Sequence, residues 1–189
     1  MAVLPIVISG DPVLHRPAAP VTEFDEALST LVADMFETCA LAPGVGLAAP
    51  QVGVGKRVFV WMYEDEDHPD VPARGVAINP TLWIAPIEPG LPGEEEVEGC
   101  LSFPGERFAL RRSNRALLRA QDLEGEPFEV EVDGWFARIM QHEYDHLDGL
   151  LYVDRLVHPE SRGAQKAARS NGWGKPGLSW TPGIDDLEG

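Results

Sequence analysis

The chain has 189 residues, 44% of them hydrophobic, so it can bury the core of one domain and is not generally disordered. Its formal net charge of −16 argues against direct nucleic-acid binding, because phosphates would be repelled. With only two cysteines and no apolar stretch long enough for a membrane span, we expect a cytoplasmic protein without a disulfide framework or a membrane partner.

The N-terminal part of the chain predicts an extended segment followed by one amphipathic helix. Residues 1–21 are interrupted by prolines and should be extended. A capping signal formed by Thr22 and Asp25 precedes apolar residues at helical spacing, and Pro43 should end this helix after roughly four turns. Cys39 lies on the apolar stripe, so we expect a buried core thiol there rather than a ligand.

Short strands are predicted in the middle of the chain. Residues 57–63 (RVFVWMY) are typical of a buried strand, because every residue after Arg57 is apolar or aromatic, and residues 76–80 begin another strand or two. Further along, the apolar segments 116–120 and 128–132 flank a turn signal at residues 122–125, which predicts a β-hairpin. These strands should therefore be mostly antiparallel.

A second helix is expected to run from a cap at Asp133 to Gly149, and it carries an HExxH motif. One side of this helix should face the protein interior and contains the residues Trp135, Ile139, His142 and His146. Short, mostly antiparallel strands packed around such a central helix give the predicted fold class, which is α+β.

The HExxH motif indicates metal-assisted hydrolysis. His142 and His146 are one helical turn apart, so both imidazoles reach the same point in space. A divalent metal held there keeps an open position for a water molecule. Glu143 is turned about 100° from His142 around the helix, so it is suited to act as a general base on that water rather than as a further ligand.

The third metal ligand has several candidates. A metzincin would have a histidine where this chain has Tyr152, so that class is excluded. A thermolysin-like site would use a later glutamate, for which only Glu160 and Glu188 are available. Upstream, Cys100 could supply a thiolate and complete a Cys-His-His set, but a plain buried cysteine explains that residue equally well. The residues alone leave this choice open.

Three segments of the chain resemble the signature motifs of the peptide deformylases and occur in the same order. Residues 44–51 (GVGLAAPQ) match GxGxAAxQ, residues 98–102 match EGCLS, and residues 141–147 (QHEYDHL) match QHExDHL. The opening segment at residues 10–14 is also similar to the start of that family. All three motifs at this spacing are far more specific than any one of them.

The resemblance implies a metal-dependent hydrolase that removes the formyl group from the N-terminal formyl-methionine of newly made polypeptides and releases formate. The implied metal ligands are Cys100, His142 and His146. Glu143 would act as general base and then as proton donor to the departing amine. The side-chain amide of Gln51 and the backbone N–H of Leu101 would stabilise the oxyanion.

The expected substrate-binding residues are Gly44, Val45, Gly46, Gly99, Arg107 and Ile139. In the family, the backbone around the first motif pairs with the substrate like an added strand, and we extend this to Val45 and Gly46. Gly99 would contribute to a tight wall that admits only a formyl group, and Ile139 would line a slot for methionine. For Arg107, binding of peptide carbonyls and a structural salt bridge both stay open.

The metal cannot be identified from its ligands, because a Cys-His-His set suits several divalent ions. The resemblance implies Fe²⁺ as the physiological ion, with Zn²⁺, Ni²⁺ or Co²⁺ possible in purified protein. The implied partners are nascent formyl-methionyl peptides and, at its exit region, the ribosome.

Residues 1–158 should form the catalytic domain, and residues 159–189 a Gly/Pro-rich tail that resembles the tails of actinobacterial members. Many bacterial deformylases end instead in a basic helix associated with ribosome docking, which we expect to be absent here. Our hypothesis is that Trp173 and Trp180 pack the tail back onto the domain.

Two rival functions remain at this point. A zincin-type metalloprotease would cleave internal peptide bonds and would need a different third ligand. A catalytically silent, deformylase-like binding protein would lack part of the machinery. Every motif residue that the chemistry needs is present, which favours the enzyme.

Overall fold

The computed structural model describes residues 2–93, 95–185 and 187. The helices in this part of the chain are α1 (Glu26–Leu41), α2 (Gly134–Leu147) and α3 (Glu160–Ser170). The strands are β1 (Ile6–Val7), β2 (Gly46–Ala48), β3 (Val58–Met62), β4 (Arg74–Ile84), β5 (Val97–Cys100), β6 (Phe103–Ala109), β7 (Arg115–Gln121), β8 (Pro127–Asp133) and β9 (Ser179–Trp180). None of the helices in the described residues has the length and hydrophobicity of a membrane span.

A five-stranded antiparallel sheet with the order β2-β3-β4-β7-β8 lies between α1 and α2. Strand β3 shows why both of its faces are covered: Val58 and Val60 lie in the core cluster with α1, whereas Phe59 and Trp61 lie in the cluster with α2. Because neighbouring side chains of a strand point to opposite faces, a strand buried on both sides is apolar throughout. The predicted buried strand, the β7–β8 hairpin and the α+β fold class are confirmed.

Two smaller antiparallel sheets were not predicted. Strands β5 and β6 form a hairpin outside the main sheet, and β1 pairs with β9, so that Ile6 lies opposite Trp180. In the segment after residue 76, where one or two strands were predicted, β4 is a single long strand with an irregularity between Ile78 and Thr81. Pairings of two or four residues leave too short a hydrophobic pattern to be recognised in a sequence.

The N-cap of the first helix is one of the two residues of the predicted capping signal. The side chain of Asp25 accepts a hydrogen bond from the backbone N–H of Leu28, at 2.9 Å, so Asp25 and not Thr22 is the N-cap. The predicted core thiol on this helix is confirmed, because Cys39 is 1% exposed.

The second helix follows Asp133 as predicted, but that side chain forms no capping bond within the described structure. Its carboxylate instead lies 3.6 Å from Nε2 of His68 in the acidic loop after β3. The helix ends two residues before Gly149. The prediction that Trp135 faces the interior is wrong: this side chain is 42% exposed, near the start of α2.

The C-terminal part of the chain packs against the domain. Helix α3 was not predicted, and it carries the basic residues Arg162, Lys166 and Arg169 with one acidic residue, Glu160. A short basic helix is thus present, contrary to expectation. Trp180 is 3% exposed in the core that contains α1, and the ring of Trp173 lies against Phe103 with a centroid distance of 4.6 Å. Both tryptophans therefore pack as the tail hypothesis predicts.

Candidate active site

The β5–β6 hairpin and helix α2 bring three potential metal ligands together. Cys100 is the last residue of β5, and α2 carries His142 and His146 one turn apart. The Sγ atom of Cys100 lies 3.4 Å from Nε2 of His146, and the two Nε2 atoms lie 3.2 Å apart. The ligand atoms of all three residues lie within 4.8 Å of one another. Of the candidates for the third ligand, Cys100 is the one that meets the histidines.

The spacing of these atoms fits one tetrahedral ion. Ordinary zinc-type bond lengths place two nitrogen ligands about 3.3 Å apart and a sulfur about 3.5 Å from a nitrogen. The observed separations of 3.2 Å and 3.4 Å agree with those values. Of the other residues considered, Tyr152 donates its hydroxyl hydrogen to the carbonyl of Glu106 and Glu160 begins α3, whereas Glu188 lies outside the described residues.

Glu98 orients one of the histidines. Its Oε1 accepts a hydrogen bond of 2.6 Å from Nδ1 of His142, which leaves the Nε2 lone pair directed towards Cys100 and His146. The same carboxylate accepts hydrogen bonds from Arg112 and Arg138. Burial alone would raise the pKa of Glu98, but the His142 hydrogen bond and the Arg112 charge outweigh burial and hold that pKa well below its usual range.

The buried charges continue behind α2. Arg112 also donates to Asp145, 2.5 Å away, and Arg155 covers the outer side of the Asp145 carboxylate. Arg112 and Asp145 are both buried, as is Glu98. Sequence reasoning missed this network. Glu98 and Asp145 stood inside two of the matched motifs and could have been singled out, whereas no pattern marked Arg112.

The pKa values of the two histidines show that this group of three ligand residues favours a positive charge. Burial and the charge of a protonated His142 hold the pKa of His146 well below its usual range, so its imidazole is neutral. Burial alone would lower the pKa of His142, but its interaction with Cys100 and the bond to Glu98 raise it well above the usual value. A divalent cation bound by Cys100 would replace the proton that His142 carries in the absence of a metal.

Glu143 lies beside this group and is 3% exposed. Burial raises its pKa to about 7, which is the range in which a carboxyl group exchanges protons most effectively at neutral pH. Its Oε2 is buried without a hydrogen-bond partner in the described structure. A Cβ atom at Gly46 would lie 2.4 Å from Oε1 of Glu143, so only glycine at that position leaves space for the carboxylate.

Gln51 reaches the same place from the end of the first motif and is 1% exposed. Its Oε1 accepts a hydrogen bond from the backbone N–H of Ala48, at 2.8 Å. This contact turns the amide nitrogen towards Cys100, and Nε2 lies 3.7 Å from the Cys100 sulfur. Leu101 follows Cys100 directly, and its side chain is close enough to Gly44 to meet a Cβ there at 2.9 Å.

A cavity of about 210 Å³ opens in front of these residues. All six predicted substrate-binding residues line it, together with Gln51, Cys100, Leu101, His142 and Glu143. Arg107 is exposed at its edge. Sequence reasoning did not identify Val97, Trp135 and Arg138, which also line the cavity.

Comparisons with known proteins identify a family of similar sequences. The polypeptide deformylase family model matches residues 3–162. The peptide deformylase of Mycolicibacterium paratuberculosis is 48% identical over 97% of this chain and 96% of its own length. That of Rhodococcus opacus is 48% identical over 97% and 95%.

Solved structures of peptide deformylases are also similar to this chain. The peptide deformylase of Thermus thermophilus has a TM-score of 0.74 and 40% identity, covering 89% of this chain and 94% of its own. The peptide deformylase of Synechococcus elongatus, in complex with actinonin, has a TM-score of 0.75 and 34% identity, covering 90% and 86%.

Proposed function

The chain belongs to the polypeptide deformylase family, and from this premise we propose that its deformylation reaction takes place in the cavity in front of Cys100, His142 and His146. The reaction removes the formyl group from the N-terminal formyl-methionine of a nascent polypeptide. Its products are formate and a polypeptide with a free amino terminus. The observation that carries the proposal is the meeting of a Cys-His-His ligand group with a buried carboxylate at one end of a cavity.

Cys100, His142 and His146 would hold one divalent ion. When bound, such an ion lowers the pKa of a water molecule so that hydroxide is available near neutral pH. We expect Fe²⁺ as the physiological ion, with Zn²⁺, Ni²⁺ or Co²⁺ able to replace it in purified protein. Glu98 supports the arrangement by holding His142 in the orientation and tautomer that a ligand needs.

Glu143 would move the protons. It would accept a proton from the attacking water and give it to the departing amine. Its closeness to Gly46 and its place in the lining of the cavity support this role. A pKa of about 7, reached by burial before any charge of an ion is added, allows it to be both acceptor and donor.

Attack on the formyl carbon places negative charge on the former carbonyl oxygen. The Gln51 amide and the backbone N–H of Leu101 would donate hydrogen bonds to that oxygen. Gln51 is suited to this role because its Oε1 is already occupied by Ala48, so its NH₂ group has to face the Cys100 side of the cavity. A neutral amide also adds no charge that would compete for the cation.

The peptide would bind along β2, which is an edge strand of the five-stranded sheet. An edge strand has backbone groups available for pairing, so Val45 and Gly46 can add the substrate as a further strand. Ile139 would line the slot for the methionine side chain. Gly99 and Leu101 would close the wall around the formyl group, and Arg107 at the cavity edge would bind peptide carbonyls.

The proposed setting is the cytoplasm, where formyl-methionyl chains emerge from the ribosome exit region. The net charge of −16 makes a direct role for nucleic acid unfavourable. Residues 1–158 would form the catalytic domain and residues 159–189 its tail.

Formate release tests the proposed function directly. Protein prepared anaerobically with Fe²⁺ should release formate from a formyl-Met-Ala-Ser peptide and leave the acetyl-Met-Ala-Ser peptide intact. No release from the formyl peptide with the metal fully bound would refute the proposal. Cleavage of unformylated casein would indicate a metalloprotease instead.

A further inference from the structure

The turn that follows Cys100 is held by parts of the chain outside its own hairpin. Cys100 pairs with Phe103, so Leu101 and Ser102 form the two-residue connection between β5 and β6. The carbonyl of Ser102 accepts a hydrogen bond of 2.8 Å from the backbone N–H of Ser9. The carbonyl of Leu101 accepts one of 2.8 Å from the indole Nε1 of Trp180, which is 79 positions further along the chain.

The indole has a fixed position. Strand β9 pairs with β1, so that Trp180 lies opposite Ile6. The backbone N–H of Ile8 donates to the carbonyl of Leu178, and that of Gly174 donates to the carbonyl of Ser9, both at 2.9 Å. With its side chain 3% exposed in the core, Trp180 cannot swing away without losing its packing there and its bond to Leu101.

We propose that Trp180 is a positioning residue for catalysis, which fixes the Leu101 backbone so that the Leu101 N–H points at the developing oxyanion. This inference rests on the proposed function. The peptide unit that carries the Leu101 N–H lies between two held groups. On one side the Cys100 side chain belongs to the ligand group and contacts Gln51; on the other, the Leu101 carbonyl is held by the indole.

Fixed orientation matters because an oxyanion donor acts through being in place before the charge develops. Removing the indole N–H takes away the hydrogen bond that the carbonyl of Leu101 accepts, and a buried carbonyl without its donor is unfavourable. The turn can relieve that cost by rotating, and rotation of the Leu101 backbone turns its N–H away from the reacting oxygen. A purely structural contact would change the stability but not the rate of the folded enzyme.

The test compares two replacements of Trp180 in the full chain loaded with Fe²⁺. Trp180→Phe removes the donor and part of the ring, whereas replacing Trp180 by 3-benzothienylalanine keeps the bicyclic shape and removes only the donor. For both we expect kcat for formyl-Met-Ala-Ser, per metal-loaded molecule, to fall about three- to tenfold. The KM should stay within about twofold, because the substrate contacts are unchanged.

Trp173→Phe is the matched control, since this tryptophan lies in the same tail and packs its ring on Phe103. It should lower the melting temperature and leave kcat within about twofold of wild type. If both variants of Trp180 keep the wild-type kcat, or change only KM, the positioning role is refuted. Wild-type protein that releases no formate would instead overturn the proposed function, and the role of Trp180 with it.

Discussion

Glu98→Gln keeps the shape of a buried side chain and removes its charge, so it tests the network behind the metal ligands. Arg112, Arg138 and His142 all donate to this carboxylate. Removing one partner of a buried ion pair costs about 3–5 kcal/mol, and because Arg112 keeps Asp145 we expect about 3 kcal/mol. For a chain of this size, that loss lowers the melting temperature of the metal-free protein by roughly 6–12 °C. Metal affinity should fall about 10- to 100-fold, because His142 loses the acceptor that orients it.

The assay is competition for Zn²⁺ against a chromophoric chelator, together with thermal unfolding of the metal-free protein. Glu96→Gln is the matched control, since Glu96 pairs with Arg111 and its side chain is 19% exposed. Loss of that outer pair should cost at most about 1 kcal/mol and leave metal affinity unchanged. A Glu98→Gln variant that binds Zn²⁺ within about twofold as tightly as wild type would refute the reasoning.

The pH dependence of the same pair of proteins gives a second check. The pKa of Glu98 is held below its ordinary value of 4.5, so its stabilising effect is present above pH 4.5 and is lost as the pH falls towards the folded-state pKa. The difference in free energy of unfolding between metal-free wild type and Glu98→Gln should narrow as the pH falls below 4.5. A difference that grows as the pH falls below 4.5 would contradict this assignment.

Three further predictions concern residues near the cavity. Glu143→Gln should lower kcat at least about 100-fold with unchanged metal content, and formate release within about tenfold of wild type would argue against a general base at this position. Gly46→Ala should lower kcat at least about tenfold while metal binding is kept, because a Cβ at position 46 would lie 2.4 Å from Oε1 of Glu143. A normal kcat would contradict this steric argument. Burial, helped by the Glu143 charge, raises the pKa of the Cys39 thiol to about 12. A disulfide reagent at pH 8 should therefore leave Cys39 unlabelled until the protein is unfolded, and peptide mass mapping measures the labelling. Labelling of the native protein at Cys39 would show that this thiol is accessible.

Several elements of the fold could be predicted because their signals are local. Helix α1 and helix α2 have apolar residues at helical spacing, β3 is a continuous apolar run, and β7 and β8 flank a turn signal. Helix α3 has a weaker pattern, since most of its residues are polar and the residues that it packs against the core are the small side chains of Ala164, Ala167 and Ala168. Strands β1 and β9 are two residues long and lie at opposite ends of the sequence, so only their pairing identifies them.

The same distinction holds for the site. The sequence by itself determined the two histidines one turn apart, the carboxylate next to them and the three family motifs, because each is a pattern of neighbouring residues. The tertiary structure decided that Cys100 meets His146, that Glu98 orients His142, and that the indole of Trp180 reaches Leu101. These contacts join residues 44 to 79 positions apart, so they depend on how the β5–β6 hairpin folds against α2 and how the tail folds against that hairpin. The raised pKa of Glu143 is likewise a property of burial, which no local pattern specifies.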